Sequence, residues 1–123
     1  MQFTGNILVI DDDLPVLELL AEVLTDEGYT VRSALDPASA RAAAQARRPD
    51  LVLLDLHIPS KPGHILAHDL QDNGLANVPI ILMTTDTKAA NQLALEGTAS
   101  YLLKPFDLEE LVSCVARYIA KHS

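Results

Sequence analysis

The sequence is poor in cysteine, in positive charge and in long apolar runs, and each shortage excludes something. One cysteine, Cys114, permits no disulfide within the chain and suits a reducing compartment. Nine Lys and Arg stand against seventeen Asp and Glu, a net charge of −8. That balance provides no basic face for a phosphate backbone, so no direct nucleic-acid binding is expected. No apolar stretch approaches the roughly 20 residues of a membrane helix, so no membrane partner is expected either. The first basic residue is Arg32, which leaves no positively charged start for a secretory signal. Repeats, low-complexity tracts and linker-like stretches are absent. A soluble, cytoplasmic protein is the expectation.

What is present has the composition of a globular domain. The 123 residues are 49% hydrophobic and 21% charged, which predicts one domain over 1–123 with a single core. Five short apolar runs alternate with longer helical patterns: Asn6–Ile10, Thr30–Ala34, Asp50–Leu54, Pro79–Met83 and Ser100–Leu103. The first, third and fourth are continuous rather than alternating, as expected of strands buried on both faces. The pattern predicts an α/β doubly wound fold with a five-stranded parallel sheet and five helices. Helix starts are marked by Asp13 before Leu14-Pro15, by Asp36-Pro37, by Ser60 before Lys61-Pro62, and by Asp107 with Glu110. A compact fourth helix is expected near Lys88–Glu96. The last, about Leu108 to Lys121, places Leu108, Leu111, Val112, Val115 and Ile119 on one stripe and ends with the chain, so no output domain is expected within it.

Ligands of such sheets bind outside the carboxyl ends of the strands. Asp11-Asp12-Asp13 follows the first run, Asp55 the third, Thr84-Thr85 the fourth and Lys104-Pro105 the fifth. Each has a plain structural role when taken singly: Asp13 and Thr84 as helix caps, Lys104-Pro105 as the end of a strand. Their convergence is harder to explain that way. Two carboxylates about 5 Å apart repel by roughly 3 kcal/mol at an effective dielectric near 20. Asp11, Asp12 and Asp55 make up to three such pairs against one lysine. A divalent cation resolves the conflict, and an all-oxygen ligand set points to Mg²⁺.

The motifs Ile-Leu-Val-Ile-Asp-Asp-Asp, Pro-Asp-Leu-Val-Leu-Leu-Asp-Leu-His-Ile-Pro, Pro-Ile-Ile-Leu-Met-Thr-Thr and Tyr-Leu-Leu-Lys-Pro-Phe resemble the four signatures of bacterial two-component response-regulator receiver domains, of the chemotaxis-regulator type. The resemblance covers essentially the whole chain. It implies a flavodoxin-like sheet of order 2-1-3-4-5. It implies that Asp55 accepts a phosphoryl group from a histidine kinase or phosphotransfer protein. Asp12 and Asp55 would ligate Mg²⁺ with the His57 backbone carbonyl, and Asp11 would act through water. Thr84 and Lys104 would contact the phosphoryl group, and Tyr101 would turn inward when Thr84 is recruited. The family signals rather than metabolises: such a domain promotes its own phosphorylation and dephosphorylation and switches the face of its fourth helix, fifth strand and fifth helix, through which a homodimer can form. The His57 imidazole and Asp86 match positions that gate the attacking water.

Three positions depart from the family pattern. The interval from Thr84 to Lys104 is two residues short, Pro62 stands before Gly63 where an acidic residue or Asn is usual, and Thr85 is bulkier than the common Ala or Ser. Two other classes compete less well. A haloacid-dehalogenase-type hydrolase would use Asp11-x-Asp13 but would want a late acidic pair. A flavodoxin would not place three carboxylates where its cofactor's phosphate must sit.

Overall fold

A computed structural model describes residues 5–57, 63–95 and 100–122. Strands β1 (Asn6–Ile10), β2 (Thr30–Ala34), β3 (Leu51–Asp55), β4 (Ile80–Thr84) and β5 (Ser100–Leu103) alternate with helices α1 (Leu14–Asp26), α2 (Pro37–Ala46), α3 (Gly63–Leu70), α4 (Thr87–Leu95) and α5 (Leu108–His122). All strand pairs are parallel, in the order β2-β1-β3-β4-β5. This is the doubly wound sheet that the apolar runs predict, in the flavodoxin-like order that the family resemblance implies.

The continuous apolar runs have a direct structural cause. Successive residues of a strand point to opposite faces, and here both faces are covered. Leu8, Ile10, Val52, Leu54, Ile80 and Leu82 pack on one side with Ala40 of α2 and Leu66 and Leu70 of α3. Ile7, Val9, Leu51, Leu53, Ile81 and Met83 pack on the other with Leu17, Leu20 and Leu24 of α1 and Leu111, Val115 and Ile119 of α5. Cys114 joins this second layer, and burial pushes its thiol upward from its ordinary pKa. Leu108, expected on the same stripe, is 40% exposed, because it opens α5 at the sheet's carboxyl edge.

Two expected strands lie one residue further along. β3 and β4 end on Asp55 and Thr84 rather than before them, with Asp55 aligned on Met83 and Thr84 on Leu103. Both polar side chains are therefore held by ladder backbone rather than by loops.

The helix starts follow local chemistry. Asp36 caps α2, accepting from the Ser39 N–H at 2.7 Å, while Ser39 Oγ accepts from the Asp36 N–H at 3.3 Å. Asp13 stands at the N-cap of α1, but its carboxylate makes no capping bond. A capping carboxylate accepts from the second or third helical N–H; in α1 the second residue is Pro15, which has none, and the N–H of the third, Val16, does not bond to Asp13. Asp86, not Thr84, caps α4: its Oδ1 accepts from Lys88 N–H at 3.0 Å and Ala89 N–H at 3.1 Å. α3 continues into a π-helical turn, Gln71–Leu75, with Gly74 at φ +100°. The start expected at Ser60-Lys61-Pro62 lies outside the described residues, as does Glu96.

Candidate functional site: an acidic pocket at the carboxyl edge

β1 delivers Asp11 directly beyond its last residue, and the Asp11 N–H extends the ladder to Ala34 O at 3.1 Å. The side chain is fully buried. Its Oδ1 accepts from the Asp13 N–H at 3.0 Å, and its Oδ2 stands 3.3 Å from Lys104 Nζ. Asp12, next along, is exposed. Asp55 is 4% exposed; its Oδ1 accepts from the His57 N–H at 3.2 Å and lies 3.6 Å from Lys104 Nζ. Oxygens of Asp11, Asp12 and Asp55 lie within 4.8 Å of one another.

Lys104 reaches both buried carboxylates because its backbone is pinned beside β4, where its N–H donates to Thr84 O at 2.8 Å. The peptide bond to Pro105 is cis. One ammonium shared by Asp11 and Asp55 leaves the pocket short of positive charge. The shortage is visible in Asp11: burial pushes its pKa up from 3.8, the Asp13 N–H pulls it back, proximity to Asp55 pushes it up again, and Lys104 opposes. Hard oxygen donors, crowded and under-compensated, fit Mg²⁺.

The Thr84 hydroxyl is fully buried and accepts from the Asp86 N–H at 2.9 Å. The ring nitrogen Nε2 of His57 lies 3.0 Å from the same oxygen. The resemblance matches this imidazole and Asp86 to positions that gate the attacking water. The contact it makes here is with Thr84, while Asp86 Oδ1 is engaged on the start of α4. No motif reports the direction of that ring; the nearest signal was its place two residues beyond Asp55. Tyr101 stands apart from these contacts. It is half-buried on β5, aligned with Leu82 and packed against the layer that also receives Ala89 of α4.

A pocket of this kind can hold a divalent cation beside a carboxylate and present that carboxylate, with an ammonium and a hydroxyl nearby, to an electrophile. Known proteins share its framework. The model of the response regulator receiver domain matches residues 7–116. The DNA-binding response regulator MtrA of Mycobacterium tuberculosis is 41% identical over 113 residues, covering 89% of this chain and 48% of that protein. The phosphate regulon transcriptional regulatory protein PhoB of Pseudomonas aeruginosa is 37% identical over 111 residues, covering 88% and 48%. The chain thus spans about half the length of the curated relatives it matches. Among solved structures, the chemotaxis response regulator CheY4 of Vibrio cholerae superposes with a TM-score of 0.87 at 27% identity, over 94% of this chain and 99% of that one. NtrX of Brucella abortus in complex with ADP gives 0.92 at 27% identity, over 98% of this chain and 28% of that one. With the strand order, the acidic pocket and a family match over nearly the whole chain in agreement, this chain belongs to the response regulator receiver domain family.

Proposed function

We propose that residues 1–123 form one receiver domain whose phosphoacceptor is Asp55. The observation that carries this reading is the setting of the Asp55 carboxylate, 3.6 Å from Lys104 Nζ and within 4.8 Å of two further carboxylates at the end of a buried strand. The contacts of Asp55 with the His57 N–H and with Lys104 both fall on Oδ1, which among the described residues leaves Oδ2 to attack. An Asp55 oxygen forms the bond to phosphorus as the phosphorus–nitrogen bond of a kinase phosphohistidine breaks. The departing imidazole keeps that electron pair and gains a proton from solvent. Charge builds on three equatorial oxygens, so the work is positioning and charge stabilisation. Lys104 meets one oxygen, and Thr84 with the Thr85 N–H meets another. The carboxylates of Asp12 and Asp55 and the His57 carbonyl would hold Mg²⁺, with Asp11 acting through water, and Mg²⁺ when bound neutralises charge on the phosphoryl group.

The partner is a histidine kinase or phosphotransfer protein, and the compartment is the cytoplasm. Tyr101 is the coupling element: a half-buried ring between α4 and β5 turns inward as Thr84 is recruited, and this alters the α4–β5–α5 face, a surface through which homodimers form. Acetyl phosphate with Mg²⁺ tests the central step. Intact-mass spectrometry should show one added phosphoryl group, stable to acid and labile to base, and none on Asp55→Asn. Unchanged labelling of that variant refutes the assignment.

A further inference from the structure

Thr84 Oγ1 has two neighbours among the described residues, the Asp86 N–H at 2.9 Å and His57 Nε2 at 3.0 Å. His57 is an exposed residue, and its backbone N–H donates to Asp55 Oδ1 at 3.2 Å. One residue thus holds the phosphoacceptor with its backbone and the switch hydroxyl with its side chain. A threonine hydroxyl has one proton and two lone pairs, and its χ1 is restricted by the branched Cβ. With the Asp86 N–H on one lone pair, the bond to the imidazole gives this buried hydroxyl its second partner.

We propose that His57 is a positioning residue for Thr84, its imidazole acting as a catch that holds the hydroxyl while Asp55 is unmodified. The proposal rests on the reading of Asp55 as phosphoacceptor and Thr84 as the switch hydroxyl. Turning Thr84 toward a phosphoryl group breaks the bond to His57. A bond present in one state and lost in the other biases the equilibrium by its net worth, roughly two- to ten-fold for an ordinary hydrogen bond. The chain therefore resists recruitment of Thr84 by that factor until a phosphoryl group outbids the imidazole.

The test uses beryllofluoride with Mg²⁺ as a phosphoryl mimic. In a calorimetric titration His57→Leu should bind it roughly two- to ten-fold tighter than the wild type, the bias that one hydrogen bond supplies. His57→Gln, whose amide still reaches a hydroxyl, should stay near the wild type. In a Thr84→Ala background His57→Leu should change nothing, since the catch then has nothing to hold. A readout free of both metal and mimic comes from three-bond couplings of Thr84: one χ1 rotamer in the wild type and in His57→Gln, averaged rotamers in His57→Leu. Equal affinities, an unchanged single rotamer in His57→Leu, or an effect that persists without the Thr84 hydroxyl overturns the catch. A wild type that neither binds beryllofluoride nor takes a phosphoryl group on Asp55 overturns the phosphoacceptor reading instead.

Discussion

The three carboxylates at the strand ends do not share one role. Asp11 is the most compromised of them, buried beside Asp55 and pushed upward in pKa chiefly by that burial. A carboxyl whose pKa is raised on folding binds its proton more tightly in the folded state. Its charge therefore costs nothing below the unfolded pKa of 3.8, and stability is lost as pH rises from there through the folded value. In EDTA, Asp11→Asn should raise the Tm at pH 7, since it removes a buried charge that burial disfavours. The gain should shrink as the pH falls toward 4. A Tm difference that is constant with pH in thermal unfolding would mean that burial of the charge is not what the substitution relieves. Asp12 and Asp13 differ in another way: Asp12 is within the 4.8 Å cluster and Asp13 is not. Asp12→Asn should weaken Mg²⁺ binding several-fold and Asp13→Asn much less, as read by calorimetric titration. The residue types of the site were legible because a buried strand end is a costly place for carboxylates. The ring direction of His57 was not, since it is decided by Thr84, 27 positions away in the chain.

Helix starts show how far local chemistry reaches. Asp13 and Asp36 look alike in sequence, each one or two residues before a proline, yet only Asp36 makes a capping bond. Pro37 is the first helical residue and Asp36 takes the third N–H, that of Ser39, whereas Pro15 is the second helical residue and the Asp13 carboxylate takes no N–H of α1. Asp86 offers the test on α4, where one carboxylate oxygen holds two N–H groups. Asp86→Ala should cost about 1 kcal/mol of stability in urea unfolding, and Asp13→Ala only a few tenths, because there is no cap bond to lose. Equal losses would show that charge near the helix start, rather than the bond, is what matters. The strands were legible as continuous apolar runs, because every position of β1, β3 and β4 is buried. Their last residues were not, since Asp55 and Thr84 are polar and only the neighbouring strands show that the ladder reaches them. The π-helical turn after α3 has no periodic signature of its own; Gly74, with its positive φ, is its one local mark.

At the scale of the molecule, one sheet serves two core layers, and this ties the site to the stability of the whole. Leu53 and Leu54 are consecutive on β3, both fully buried, and they point into opposite layers. The same strand ends in Asp55, and its neighbours carry Asp11 and Thr84 at the same edge. Coupling through the sheet would mean that neither layer loosens without releasing the strand that carries Asp55. Leu53→Ala and Leu54→Ala should each cost about 2–5 kcal/mol, the range for a buried leucine that leaves a cavity. Against a total stability of roughly 5–15 kcal/mol, either loss is a large fraction of what holds the fold together. If the sheet couples the layers, each variant should still unfold in one transition, with far-UV circular dichroism and the fluorescence of Tyr29, isolated in a Tyr101→Phe, Tyr118→Phe background, tracking the same midpoint in urea. Tyr29 sits in the layer that contains Leu53, so it reports on Leu54→Ala only through the sheet. Should its midpoint stay at the wild-type value in Leu54→Ala while the circular dichroism midpoint falls, the two layers melt separately, and the position of Asp55 depends on one of them alone.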